Sequence, residues 1–218
     1  MRETTEGSKK AGRRLLNIIA TTVIVLGLGL LCYPQARVVY YNYKEAKLIE
    51  GWQQSLQLLA ESPIGDVTLP DDNDTSAQAE GTAALNSADM VGMLQIDKIG
   101  LISPVLRGTT KENLNIALAT IEPTGTAGEV GNYAIAGHNS LNYGRHFNRL
   151  DELKKGDSIV LNDLLHKYTY TVTEKLYVQP DKVDVLYPSG AKALLTLVTC
   201  HPRETAKQRL IIRAELTE

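Results

Sequence analysis

The stretch Thr196-Leu197-Val198-Thr199-Cys200 ends a short apolar run and brings a cysteine to the edge of a predicted strand. His201-Pro202 follows at once, and a proline ends strand pairing because it has no backbone N–H to donate. Functional groups concentrate at strand ends and in the loops after them. Cys200 is therefore a candidate nucleophile, although a lone cysteine is also commonly a small buried hydrophobe. Cys32 lies far upstream in an apolar segment, so we expect Cys200 to be a free thiol.

A histidine follows a second predicted strand, in Ala134-Ile135-Ala136-Gly137-His138-Asn139. The apolar run stops at Gly137, which lets the chain turn sharply while the next side chain stays near the strand end. A single histidine is more often a surface or satisfied core residue. His138 is a candidate because of the cysteine already described and the arginine described next.

That arginine is Arg209, which opens the segment Arg209–Leu216 with the last predicted strand. Alternation with period two places Leu210, Ile212, Ala214 and Leu216 on the core face, so Arg209 faces outward at the strand start. A short loop separates this strand from the one that ends at Cys200. An antiparallel hairpin would therefore make Cys200 and Arg209 neighbours.

Other residues compete for these roles. His201 adjoins the cysteine, but consecutive side chains of an extended chain point to opposite faces, which turns His201 away from what Cys200 addresses. Arg203 competes with Arg209 from a loop position where nothing in the sequence fixes its direction. His146 and His166 lie in segments typical of polar connections, and we assign them no role.

The N-terminal region has the pattern of a membrane anchor. Residues 1–14 are polar and basic, and residues 15–32 form an uncharged apolar run. That run is about 18 residues long, the short end for crossing a ~30 Å hydrocarbon core, and no cleavage site follows it. Because basic residues stay on the cytoplasmic side, we expect a retained single-pass signal anchor with the remaining chain outside the cell.

Residues 33–89 are predicted to be a helical stem followed by an acidic flexible linker. Ile49, Trp52, Leu56 and Leu59 follow helical spacing and would form one apolar stripe, facing either the membrane or the domain. Residues 62–88 are rich in Asp, Ser, Thr, Gly and Pro, a composition that buries little and favours a mobile tether.

Residues 90–218 form the remaining domain, which is mostly β. Seven strands and one short helix suggest a closed or nearly closed barrel, since closure removes exposed edges. The net charge of −2 with mixed signs shows no basic stripe and argues against a nucleic-acid partner. The helix is predicted over Thr110–Ala119, and the strands over Met93–Ile96, Leu101–Val105, Gly131–Ala136, Ser158–Leu161, Tyr168–Val178, Ala193–Thr199 and Leu210–Leu216.

The Thr-Leu-Val-Thr-Cys run, the upstream Gly-His, the downstream Arg and the N-terminal anchor together resemble a sortase, a Gram-positive cell-surface cysteine transpeptidase. The resemblance covers about residues 90–218. It implies a sortase-type β-barrel of seven to eight strands. It also implies that Cys200 is the nucleophile, His138 the proton donor and acceptor, and Arg209 the group that holds substrate and oxyanion. Thr199 matches a position that helps to bind substrate or to shape the oxyanion site.

The resemblance further implies the reaction. A sortase cleaves an LPxTG-like signal between Thr and Gly through a thioacyl intermediate, and a peptidoglycan precursor amine then takes the acyl group. The expected partners are thus secreted surface proteins and that amine. Because an aromatic lid motif and a second, C-terminal membrane segment are missing from the sequence, we expect a class A- or class D-like enzyme rather than a pilin-polymerising one.

Some sortases bind calcium through acidic loop residues, and Glu122, Glu129, Asp181 and Asp184 lie in predicted loops. Scattered carboxylates are usually solvated, so we assign no metal and no cofactor. Two alternative functions stay open. One is a cysteine endopeptidase that uses water as acceptor, and the other is a membrane-anchored binding domain without chemistry.

Overall fold

The computed structural model describes residues 4–61, 89–139, 145–188 and 190–218. The chain divides into two compact units, Met1–Tyr43 and Lys44–Glu218. Helix α1 spans Thr4–Glu61. Its part from Asn17 to Ala60 contains an 18-residue window with a mean hydropathy of 1.8, enough by length and composition to cross a membrane. The predicted linker at residues 62–88 lies outside the described residues.

Eight strands close into a barrel, which confirms the predicted fold class. Around the barrel the strand order is β1-β2-β3-β4-β7-β8-β6-β5. Short 3-10 helices lie at Asp97–Ile99, Leu150–Glu152 and Val183–Leu186. The strands are β1 (Met90–Ile96), β2 (Leu101–Leu106), β3 (Leu118–Thr120), β4 (Gly131–Ala136), β5 (Ser158–Asn162), β6 (Lys167–Val178), β7 (Ala193–His201) and β8 (Gln208–Leu216).

The predicted helix over Thr110–Ala119 is too long. Helix α2 spans Lys111–Ile116, and the Thr110 hydroxyl caps it by accepting a hydrogen bond from the backbone N–H of Asn113. Residues 118–120 instead form β3, which is buried along its whole length and pairs with β2 on one side and β4 on the other. These residues form a strand rather than a helix because strand pairing on both sides satisfies the hydrogen bonds of their buried backbone.

The barrel interior is filled by apolar side chains that alternate along each strand. On β8 the inward-facing residues are Leu210, Ile212 and Ala214, as the alternation predicts. On β7 they are Leu195 and Leu197, both fully buried. The outward-facing residues of β7 therefore include Cys200, which is partly exposed.

The stem segment, residues 44–60 of α1, belongs to the same unit as the barrel. Its buried face differs from the predicted stripe. Leu48 and Trp52 are 5% and 8% exposed, whereas Leu56 and Leu59 are 40% and 50% exposed. The contact face is displaced toward the N-terminal end of the segment, where Glu45 is also held against the barrel by Ser103 and Arg145.

Leu197→Ala tests the barrel interior, because this side chain is fully buried and its removal leaves a cavity. We expect the free energy of unfolding to fall by about 2–5 kcal/mol. Urea unfolding of the detergent-solubilised chain, followed by circular dichroism, measures the change. Ile102→Ala is the matched control, since that side chain is 59% exposed. An equal loss in both variants would contradict the assignment of Leu197 to the core.

Candidate active site

The ends of β4 and β7 lie side by side. The two strands pair in parallel, from Gly131 opposite Ala193 to Ala136 opposite Val198. Two further hydrogen bonds extend the contact beyond β4: the Gly137 N–H donates to the Val198 carbonyl at 3.1 Å, and the Thr199 hydroxyl donates to the Gly137 carbonyl at 2.7 Å. His138 therefore follows a strand end that is fixed next to Cys200.

The next strand around the barrel brings in the arginine. β7 and β8 are antiparallel, and Cys200 lies directly opposite Arg209. Opposed residues of an antiparallel pair project from the same face, which here is the outer face of the barrel. Arg209 donates through Nη1 to the carbonyl oxygens of Ala206 and Gln208, both at 3.1 Å. These bonds hold its guanidinium at the loop between the two strands.

Asn139 ties the loop after β4 to the loop after β7. Its amide nitrogen donates to the Cys200 carbonyl at 2.9 Å, and its side-chain oxygen accepts a hydrogen bond from Arg203 at 3.0 Å. Arg203 also donates to the Asn148 carbonyl at 3.1 Å. The direction of Arg203, which the sequence left open, is thus fixed toward the loop that follows His138. Asn139 is a structural member of the site that the sequence did not identify, and Arg203, considered there only as a rival of Arg209, is its partner.

His201 lies on the other side of the strand from Cys200. β7 continues through His201, so the two side chains point to opposite faces, as expected. The His201 ring packs against Tyr177 with 4.7 Å between ring centroids. His166 lies beside Asp163, with 3.5 Å between His166 Nδ1 and Asp163 Oδ1.

His146 is buried, contrary to its assignment to a polar connection. It is 4% exposed, and its ring stacks on that of His138 with a centroid separation of 6.1 Å and an interplanar angle of 19°. Within the described part of the chain, neither ring nitrogen of His146 has a hydrogen-bond partner. Burial, with Arg145 and His138 as smaller causes, lowers the pKa of His146 to about 3. His146 is therefore neutral at physiological pH.

His138 has one ring face toward His146 and stays accessible to solvent. Partial burial of the ring, and then the nearby Arg145 cation, lower the pKa of His138 from its ordinary value. Both causes disfavour the imidazolium, because one removes its hydration and the other repels its charge. His138 thus holds its proton less tightly than a free histidine does.

The outer face of β4, β7 and β8 forms a floor that leads to Cys200. On this floor Thr196 donates to the side-chain oxygen of Asn132 at 2.7 Å. Asn132 in turn donates to the Leu186 carbonyl at 2.9 Å, and Arg213 donates to the Val185 carbonyl at 3.0 Å. The connection between β6 and β7 is therefore held against this face and covers Asn132 and Thr196, which are 2% and 0% exposed. No three described His, Cys, Asp or Glu residues cluster as a metal site would require.

Known proteins share both the sequence and the barrel of this chain. A family model for the sortase domain matches residues 94–217. The chain is 31% identical over 204 residues to Sortase A of Bacillus anthracis, a match that covers 94% of this chain and 95% of that protein. The structure of Listeria monocytogenes sortase A is 30% identical, with a TM-score of 0.56 over 60% of this chain and 88% of that chain. A Clostridium perfringens Sortase D5 transpeptidase shares the fold at 24% identity, with a TM-score of 0.57 over 82% of this chain and 99% of that chain.

The family model spans more than half of the chain and includes the three strand ends that carry His138, Cys200 and Arg209. The relative from Bacillus anthracis matches along nearly its whole length. On these two matches, and on a closed eight-stranded barrel shared with solved sortase structures, this chain belongs to the sortase family of cysteine transpeptidases.

Proposed function

We propose that this transpeptidase cleaves an LPxTG-like sorting signal between Thr and Gly and transfers the acyl group to a cell-wall peptide amine. Cys200 is the nucleophile, His138 the proton donor and acceptor, and Arg209 the group that binds the oxyanion. The observation that carries the proposal is the pairing of Cys200 with Arg209 at a strand end that lies beside the end of β4.

In the first half-reaction the Cys200 sulfur attacks the Thr carbonyl carbon, and the carbonyl oxygen becomes negatively charged. The Arg209 guanidinium lies on the same barrel face as the thiol and offsets this charge. His138 takes the thiol proton of Cys200 as the sulfur attacks and donates it to the glycine nitrogen, the C–N bond breaks, and a thioester remains on Cys200. Splitting the transfer into two steps replaces one high barrier by two lower ones.

In the second half-reaction the amine of a peptidoglycan precursor attacks the thioester. His138 accepts a proton from that amine and passes it to the sulfur as the C–S bond breaks, which restores the thiol of Cys200. A pKa of His138 below its ordinary value suits this step, since the imidazole accepting the proton must be neutral. The product is a surface protein joined to the cell wall by an amide bond.

Thr199 acts by holding the site together. Thr199 is 2% exposed, and its hydroxyl donates a hydrogen bond to the Gly137 carbonyl. We therefore assign its side chain the positioning of the β4 end that carries His138, rather than a direct contact with substrate.

The proposal places the enzyme at the cell surface as a single-pass membrane protein, with residues 15–32 as the anchor and the barrel outside. The apolar window in α1 and the membrane anchoring of sortases in Gram-positive bacteria support this location. A class A- or class D-like enzyme is favoured by the near full-length match to Sortase A.

Cys200→Ala should abolish both cleavage and acyl trapping, because no other group on the floor replaces the thiolate. With an LPxTG peptide and oligoglycine, we expect kcat/KM to fall by about 10³-fold or more. Mass spectrometry of the wild-type chain should show a thioester on Cys200. The matched control is Cys32→Ala, which removes the other free thiol and should keep full activity.

The same assay separates the two acceptors. If oligoglycine never appears in the product and only the free acid forms, the enzyme is an endopeptidase that uses water. A Cys200→Ala variant that still cleaves the peptide would overturn the assignment of the nucleophile.

Arg209→Gln should lower kcat by about 10²–10³-fold, the scale of removing one oxyanion donor. Arg209→Lys should recover part of the rate, because lysine keeps the charge but loses the planar fork. Steady-state kinetics with the same peptide measure both effects. Lys192→Gln serves as the control, since it removes a cation just before the opposite end of β7. A wild-type kcat in Arg209→Gln would contradict the proposed role.

A further inference from the structure

His138 lies between two residues that are both held to β7. On one side, the Gly137 N–H donates to the Val198 carbonyl at 3.1 Å. On the other side, the Asn139 side-chain nitrogen Nδ2 donates to the Cys200 carbonyl at 2.9 Å. The short piece of chain that carries the imidazole is therefore tied at both ends to the strand that carries the thiol.

The Asn139 side chain takes the place of a backbone donor. In a parallel pair the hydrogen bonds are evenly spaced and repeat every second residue along each strand. After the bond from Gly137 to Val198, the next one would join the Asn139 N–H to the Cys200 carbonyl. β4 has already ended at Ala136, and the side-chain nitrogen makes this bond instead. Cys200 therefore keeps a hydrogen-bond partner on the β4 side although the neighbouring strand has ended.

The two partners of Asn139 make opposite chemical demands on its side chain. The Cys200 carbonyl can only accept a hydrogen bond, whereas Arg203 Nε, 3.0 Å from Asn139 Oδ1, can only donate one. A carboxamide offers a donor and an acceptor in one plane. A carboxylate of the same size offers acceptors alone, and an aliphatic side chain offers neither. Asparagine thus satisfies both partners at this position, and aspartate would satisfy only Arg203.

Arg203 holds this side chain from the loop after β7. While its Nε donates to Asn139, its Nη2 donates to the Asn148 carbonyl at 3.1 Å. Asn148 follows Phe147, which is buried and whose N–H donates to the His138 carbonyl at 3.0 Å. The arginine therefore joins the loop after β7 to two points of the chain near His138, and these contacts fix which end of the Asn139 amide faces β7.

We infer that Asn139 is a positioning residue that holds His138 in register with Cys200, and that Arg203 keeps the Asn139 amide in the orientation that donates to the Cys200 carbonyl. The inference rests on the proposed roles of Cys200 and His138. Both polar ends of the amide are used within the protein, so Asn139 acts through the residues that it holds. Without the donor, the imidazole and the thiol lose their alignment, and a small displacement of a catalytic group lowers kcat strongly.

Asn139→Asp and Asn139→Leu both remove the donor at nearly constant side-chain size, but only the first adds a charge and keeps an acceptor for Arg203. With an LPxTG peptide and oligoglycine, kcat of the full-length chain in detergent should fall by about 10–100-fold in both variants, and KM should stay close to wild type. Asn162→Asp is the matched control, because it makes the same change on β5, which pairs with neither β4 nor β7. A wild-type kcat in either Asn139 variant would overturn the inference.

Arg203→Met removes the hydrogen bonds of the guanidinium and should lower kcat by less than Asn139→Leu, because the amide remains but is no longer held. The loss in the double variant should be smaller than the product of the two single losses, since both changes break one chain of hydrogen bonds. Lys207→Met removes a cation from the same loop and should keep the wild-type kcat. Independent losses, which multiply in the double variant, would show that Arg203 does not act through Asn139.

Alkylation of the thiol by iodoacetamide tests the alignment without turnover. In the Cys32→Ala background Cys200 is the one remaining cysteine, and His138→Ala should slow its alkylation because no imidazole takes the thiol proton. Asn139→Leu should slow it as well, but should add nothing once His138 is replaced. If His138→Ala reacts at the wild-type rate, the proposed role of His138 is wrong. If His138→Ala is slow while Asn139→Leu reacts like wild type, or if Asn139→Leu slows both backgrounds equally, the positioning role alone is wrong.

Discussion

The parallel pairing of β4 with β7 is the contact on which the site depends. Six consecutive residue pairs fix its register, and the buried Thr199 hydroxyl continues the alignment onto the Gly137 carbonyl. Because side chains alternate along a strand, a slip of one residue would turn Cys200 into the barrel and Thr199 out of it. The thiol lies on the outer face because Leu195 and Leu197, on the opposite face of the same strand, are buried in the core.

The same alternation explains why polar groups are tolerated on the floor. Asn132 and Thr196 are buried under the β6–β7 connection, yet Thr196 donates to Asn132, and Asn132 donates to the Leu186 carbonyl above it. A buried polar pair without partners would cost stability, whereas a satisfied one fixes the position of the covering segment. The covering segment is thus held by the same strands that carry Cys200 and Arg209.

The sequence predicts what depends on local periodicity. The outward position of Arg209, the core face of β8 and the turn of His201 away from Cys200 all follow from period-two alternation within one hairpin. His138 was a candidate from its own strand end, but only the family resemblance placed it next to Cys200. β4 and β7 are far apart in the chain, and their pairing leaves no local signal. β3 was missed for a related reason: three residues are too few to show a period, and two distant strands stabilise them.

The stem and His146 show a second limit. The stripe through Leu56 and Leu59 has correct helical spacing, but the docked face is selected by where Ser103 and Arg145 lie in the folded barrel. His146 looks like part of a polar connection, but Phe147 and Leu150, which follow it, are buried in the hydrophobic core. Charge and burial at this loop are set by tertiary contacts, which a periodic pattern does not encode.

Glu45, Leu48 and Trp52 on the stem mean that part of the barrel surface is covered by the segment before the linker. A recombinant fragment starting near residue 90 would lack this carboxylate and would also uncover the patch that Leu48 and Trp52 protect. The stability measured on such a fragment would lack the contribution of these buried contacts. Comparisons between sortases are therefore best made on proteins that retain the segment preceding the linker.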